Sequence, residues 1–220
     1  MLAYAFLSTG TVEPLSGFVW PRPNDGEQGP WVDADAAPSE ALRGYLAGDL
    51  PYWPDDELWS IELAGTLAER DHVLVAERAR LLGRIDPWSD PLAWEFVGAC
   101  ARRAARRAAA ALHEDGRADA AARLEGATDL GELELAASSA ADHPGHAGRL
   151  AGYVADVCFY ARDAGVAARA AGVAAKMSAI AIAGDVEDAR GFEEQLARER
   201  AWQAAWLVDR LGLTSPERML

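Results

Sequence analysis

Lysine is nearly missing from this chain: Lys176 stands alone against twenty arginines. That imbalance is what GC-rich coding writes, and it carries no mechanism. Cysteine is scarce too, with only Cys100 and Cys158, far apart and in apolar helical contexts. A disulfide scaffold is therefore excluded, and both are expected to be buried, reduced thiols. Positive charge is short: 21 Lys and Arg against 35 Asp and Glu leave a net charge of -14. Such a chain lacks the basic footprint that phosphate backbones or anionic lipid require, so neither nucleic acid nor membrane is an expected partner. Long apolar runs are absent. Residues 166–183 come nearest to one, but Arg169 and Lys176 interrupt them, so no membrane span is expected. The Met1 end has no basic segment and no small-residue cleavage site, and a cytoplasmic location follows as the expectation. P-loop, dinucleotide and nucleophile-elbow motifs are missing as well. Ser138 and Ser139 fall inside a helical pattern, a poor place for a nucleophile, so no catalytic residue is assigned.

What is present divides the chain in two. Residues 1–88 hold five of the eight tryptophans and most of the prolines, while residues 89–220 are rich in alanine. Acidity concentrates in the first part: positions 1–70 carry three basic and twelve acidic residues. Leu2, Tyr4 and Phe6 alternate with smaller residues, as in a half-buried strand. Leu58, Ser60 and Glu62 should face one side of a second strand, and Trp59, Ile61 and Leu63 the other. Residues 72–76 and 80–85 read as one or two strands, or one strand with a bulge near Glu77. Residues 41–47 read as a short helix, and 24–30 as a turn-rich loop.

From Asp90 onward the period becomes helical. Asp90 suits an N-cap and Pro91 a first helical position. Thr128 or Asp129 caps a helix running to about 141. Residues 145–164 carry Leu150, Val154, Val157 and Ala161 as a core stripe. Residues 166–183 carry Val166, Ala170, Val173, Met177 and Ile180. Gly184 and Asp185 break the pattern, and 186–211 form the last helix. The fold class is α+β: an N-terminal, mostly antiparallel sheet packed on a C-terminal alanine-rich helical bundle, the two domains (1–88 and 89–220) sharing one core. Alanine secures the helices locally but buries little area, so aromatic residues of the first half should supply much of the shared interior.

Five groups of residues are candidates for chemistry. A cleft between sheet and bundle is the default ligand site, lined by Trp20, Trp53, Trp59, Glu62, Trp94, Arg103 and Tyr160. Arg102, Arg103, Arg106 and Arg107 could hold an anion, or pair with the acidic first half. Asp55, Asp56, Glu57 and Glu62 could do acid–base work or form the polar lead-in to a strand. Trp202 and Trp206, four apart beside Arg198 and Arg210, are either a partner-binding anchor or a seam. His143 and His146 flank a Pro-Gly turn. Two imidazoles do not complete a metal site, and only His113 and Glu114 suggest further donors. No metal and no cofactor is expected.

Five stretches resemble a family found in actinobacteria whose activity is not known. They are Leu2-Ala3-Tyr4-Ala5-Phe6-Leu7, Gly17-Phe18-Val19-Trp20-Pro21, Gly29-Pro30-Trp31-Val32, Leu50-Pro51-Tyr52-Trp53, and Glu57-Leu58-Trp59-Ser60-Ile61-Glu62-Leu63. Weaker agreement reaches Glu199-Arg200-Ala201-Trp202-Gln203 and Trp206-Leu207. Many members carry a Cys…Gly-x-His-x-Cys segment before the Leu-Pro-Tyr-Trp piece. Residues 38–45 hold neither cysteine nor histidine here, with Arg43 and Tyr45 standing where histidine and cysteine would be. The resemblance implies a fold and no chemistry. The functional expectation is an acidic interaction or accessory protein, regulatory or immunity-like, whose charge suits a basic protein partner. The alternative is an enzyme or binding protein for a small metabolite held in the aromatic cleft.

Overall fold

A computed structural model of the chain describes residues 1–24, 27–38, 41–184 and 189–213. The class is α+β, with an antiparallel sheet followed by six α-helices. Two compact units divide the chain: Met1–Ser89 with the residues from Ala204 onward, and Asp90–Gln203.

The first unit is built on strands β1 (Leu2–Leu7), β2 (Val32–Asp33), β3 (Arg43–Gly44), β4 (Glu57–Arg70) and β5 (Val73–Arg84). Their order is β1-β4-β5-β2, all antiparallel, with β3 also paired to β5. Just after β3, Tyr45 forms a bridge to Tyr4 of β1. The sheet thus returns to its own first strand, which protects an edge that would otherwise be open to foreign pairing.

Small residues face large ones across the inner surface: Ala3 opposes Ile61 and Ala5 opposes Trp59. The interior gathers Leu7, Trp20, Leu42, Leu63, Leu74 and Leu81 around them. Gly44 lies where the strand presses on this interior. A side chain there would begin 3.0 Å from the Ala3 Cβ and 3.2 Å from Ile61 Cγ2.

Several expectations change here. β1 is buried on both faces, because Phe6, on the side away from the interior, packs edge-on against Trp88. β5 is one strand; a first irregularity leaves Leu82 of β5 unpaired between Ser60 and Ile61, and the bulge near Glu77 puts its extra residue on β4. There Gly65 (φ 81°) and Thr66 stand opposite Glu77, whose carboxylate accepts the Thr66 N–H at 3.0 Å. That bond holds the Glu77 carboxyl below its ordinary value. The helix expected over 41–47 is β3 followed by a 3-10 turn, Ala47–Tyr52, because the chain there is drawn into the sheet. Asp25 and Gly26 of the 24–30 loop lie outside the described residues, as do Asp185 and Val186.

The second unit holds α1 (Asp90–Glu114), α2 (Ala118–Gly126), α3 (Leu130–Ala141), α4 (His146–Asp163), α5 (Ala167–Ala183) and the larger part of α6 (Ala189–Leu211). Asp129 caps α3 by accepting the Glu132 N–H, and Glu132 reaches back to the N–H and hydroxyl of Thr128. Leu150, Val154, Val157 and Ala161 of α4 are buried as their spacing predicts. α5 breaks the rule. Its buried residues are nine alanines and Ser178, while Val173, Met177 and Ile180 are only half-buried and Val166, just before it, is exposed. α5 lies against both α1 and α4, and alanines let the backbones approach closely. The larger residues at helical spacing, Val173, Met177 and Ile180, are therefore left at the edge of this core.

Candidate functional site

The residues expected to wall a cleft are mostly occupied within their own units. Trp20 and Trp59 belong to the sheet interior, and the Trp59 indole N–H is held by Glu57 at 3.0 Å. Trp53 stacks on Tyr45, with ring centroids 5.8 Å apart. Glu62 is bound by Arg80, whose guanidinium also lies over Trp31. In the second unit Trp94 and Tyr160 are exposed, and Arg103 is engaged by Glu199.

The acidic run Asp55, Asp56 and Glu57 clasps a turn. Asp55 accepts from the Ser8 hydroxyl, and Asp56 from the N–H and hydroxyl of Thr9. Glu57 receives the Gly10 N–H and stands 3.8 Å from Arg84. These are lead-in and anchoring contacts. Arg43 and Tyr45, from the same 38–45 stretch, have structural partners as well. Arg43 pairs with buried Glu13 at 3.2 Å, and Glu13 accepts the backbone N–H groups of Leu15 and Ser16. Burial pushes the Tyr45 phenol up to about 12.

The arginine face of α1 is corrected in one respect. Arg103 pairs with Glu199 of α6 at 2.6 Å, inside the helical unit, and not with the acidic first half. Its guanidinium also covers Trp202, 4.4 Å from the ring centroid. Next to that pair, Gln203 donates to the Ala175 carbonyl and the Ser178 hydroxyl and accepts from Arg200. This polar network sits in an alanine core, where each group needs its partners. Trp206 lies under Arg210. Arg198 approaches Glu194 and not the tryptophans. Trp202 and Trp206 are thus half-buried and capped by cations.

His143 lines a shallow pocket of about 470 Å³ with Arg117 and Arg123, and His113 stands 3.5 Å from Glu125. Among the described residues, no three His, Cys, Asp or Glu side chains come together as metal ligands. Cys100 and Cys158 are buried, and desolvation lifts both thiols to about 12. No described helix is long and apolar enough to cross a membrane.

The feature that sequence reasoning missed lies on α4 and α5. Phe159 and Tyr160 meet edge-to-face at 5.3 Å, yet they are 51% and 48% exposed. Val166 is 52% exposed and Leu135 of α3 is 75% exposed. Beside Tyr160 opens a groove of about 560 Å³ lined by Val173 and Met177. Asp163, Arg169 and Lys176 line it as well. Among the described residues, neither of those cations has an acidic side chain within ion-pair distance. Only Tyr160 was among the expected site residues. The signal lay in the alanines: a helix whose core face is filled by methyl groups has its larger side chains left over for another surface.

No protein-family model, curated protein or solved structure matches the chain.

Proposed function

We propose that this chain is a cytoplasmic accessory protein that holds a protein partner on the α4–α5 groove. One observation carries the reading: Phe159 and Tyr160 of α4 and Val166 before α5 are exposed, and Val173, Met177 and Ile180 are left half-buried, while alanines fill the core face of α5. Contiguous apolar surface rimmed by polar groups is the mark of an interaction site on a soluble protein. Tyrosine and phenylalanine are the residue types that anchor such contacts, since they bring large area at low entropic cost. The groove is open to solvent, which suits a segment of another protein better than an enclosed metabolite.

The test is site-specific photo-crosslinking in the producing cell. A benzophenone amino acid at position 160 should give one discrete adduct, and the same group at position 110, exposed on α1, should give none. Val166→Asp should abolish the adduct without lowering thermal stability, since Val166 is the exposed N-cap of α5 and aspartate suits that position. Equal adducts from both positions, or an adduct indifferent to Val166→Asp, would remove the proposal.

A further inference from the structure

Resting on the groove as a protein-binding surface, we infer that its occupant is an amphipathic helix of another protein, with acidic residues seven apart on the flank that meets Arg169 and Lys176. The shape of the surface comes first. Val166, Ala170, Val173, Met177 and Ile180 are spaced four, three, four and three residues apart. That is the alternation of a two-stranded helical seam. Four of the five are half-buried or exposed, and Ala170 is buried. From 166 to 180 the seam runs about 21 Å, room for four turns of a partner.

The charge comes second. α5 is the only one of the six helices without an aspartate or glutamate: Ala167–Ala183 carries Arg169 and Lys176 alone. They stand seven apart and so on one flank of the seam. The chain as a whole carries -14, yet at physiological salt a partner held on α5 senses charges within about 8 Å far more than the distant total. Locally α5 brings only cations to the groove, whose one acidic lining residue, Asp163, comes from α4.

The same pattern argues against a second copy of this chain. Two α5 seams set antiparallel would bring Arg169 and Lys176 against their own counterparts, with no acid on either helix to separate them. Like charges across such a seam select against self-pairing. An acidic helix meets no such obstacle.

The probes are three 21-residue helical peptides with leucine at every seam position and Glu, Gln or Lys on both flanks. Binding to the full-length protein is read by fluorescence anisotropy. The Glu peptide should saturate and bind about tenfold tighter than the Lys peptide at low salt, with the gap closing as salt rises. The double variant Arg169→Glu, Lys176→Glu should reverse the order. Equal binding of all three peptides, or an order that the double variant leaves intact, overturns the inference. If position 160 still gives its adduct in that case, the groove remains a binding surface and only the acidic helix is lost. If neither adduct nor peptide binding appears, both readings fall together. A dimer in sedimentation that Val166→Asp dissolves would assign the groove to a second copy, and would overturn the inference as well.

Discussion

Tyr4 and Tyr45 exchange both of their backbone hydrogen bonds, at 2.9 and 2.7 Å, and so tie the first strand to the segment that follows the third. The tie forces the chain at Gly44 down onto the interior of the sheet. No side chain fits there, since even a methyl group would stand 3.0 Å from Ala3 Cβ and 3.3 Å from Leu63 Cδ1. Gly44→Ala is therefore expected to cost about 1–3 kcal/mol through overpacking. Gly48, where an added Cβ meets nothing within 4 Å, is the control, and Gly48→Ala should change stability little. Urea unfolding followed by tryptophan fluorescence compares the two. Equal losses would mean that the closure does not constrain position 44.

The β4–β5 hairpin turns through Asp71 and His72 with φ of 46° and 68°, a conformation that costs most side chains about 1–2 kcal/mol. His72 offsets it twice. Its Nδ1 lies 2.9 Å from Asp49, and its ring stacks on Tyr52 with centroids 4.3 Å apart. His72→Ala keeps the backbone strain and loses both contacts. His72→Gly loses the contacts and relieves the strain. The alanine variant should thus be the less stable by about 1 kcal/mol. Thermal melts of both variants decide it, and the opposite order would show that the turn is unstrained.

Alanine packing in α5 makes a third expectation. Ala174 is fully buried and Val166 is half exposed. In an amphipathic helix of the usual kind, leucine would be welcome at the inner position and aspartate unwelcome at the valine. Here Ala174→Leu should destabilise by about 1–3 kcal/mol, because the added volume separates close-packed backbones. Val166→Asp, which supplies the cap acceptor that α5 lacks, should stabilise by up to about 1 kcal/mol. If the two substitutions behave the other way round, the alanine core face is wrong and the groove with it.

The same helix shows where sequence reasoning reached and where it stopped. Periodicity located α3, α4 and α5 to within a residue or two, and the Asp129 cap was legible because its geometry is local. Trp59, Ile61 and Leu63 were rightly placed on one inner face, since the period of a strand is fixed by its pleat. Periodicity could not say which face of α5 points inward. Hydrophobicity ranks Val and Met above Ala, whereas close approach of three helices ranks them below. The 41–47 segment failed for a related reason. Its local preference is overruled by bonds to Leu74, Val75 and Tyr4, all distant in the chain. Of the candidate site only Tyr160 was foreseen, because exposure is decided by neighbours that a single helix does not name.

Glu199 supplies a prediction about pH. Its side chain is buried beside Arg103, with Gln203, Arg200 and Cys100 around it. Burial raises its carboxyl above the ordinary value of 4.5, against the opposing pull of Arg103. The folded protein therefore keeps this proton when the unfolded chain has already released it. Below about pH 4.5 the group's contribution to stability is present in full. As pH rises from there through the raised value, the contribution is withdrawn, because the unfolded state gains more from ionisation than the folded state does. Glu199→Gln keeps the shape and an acceptor for Arg103 but cannot titrate. Urea midpoints of parent and variant, taken from pH 4 to 7.5, should diverge: the parent loses ground to Glu199→Gln as pH rises. Curves that stay parallel would mean that Arg103 compensates the carboxylate fully and that its burial carries no titration penalty.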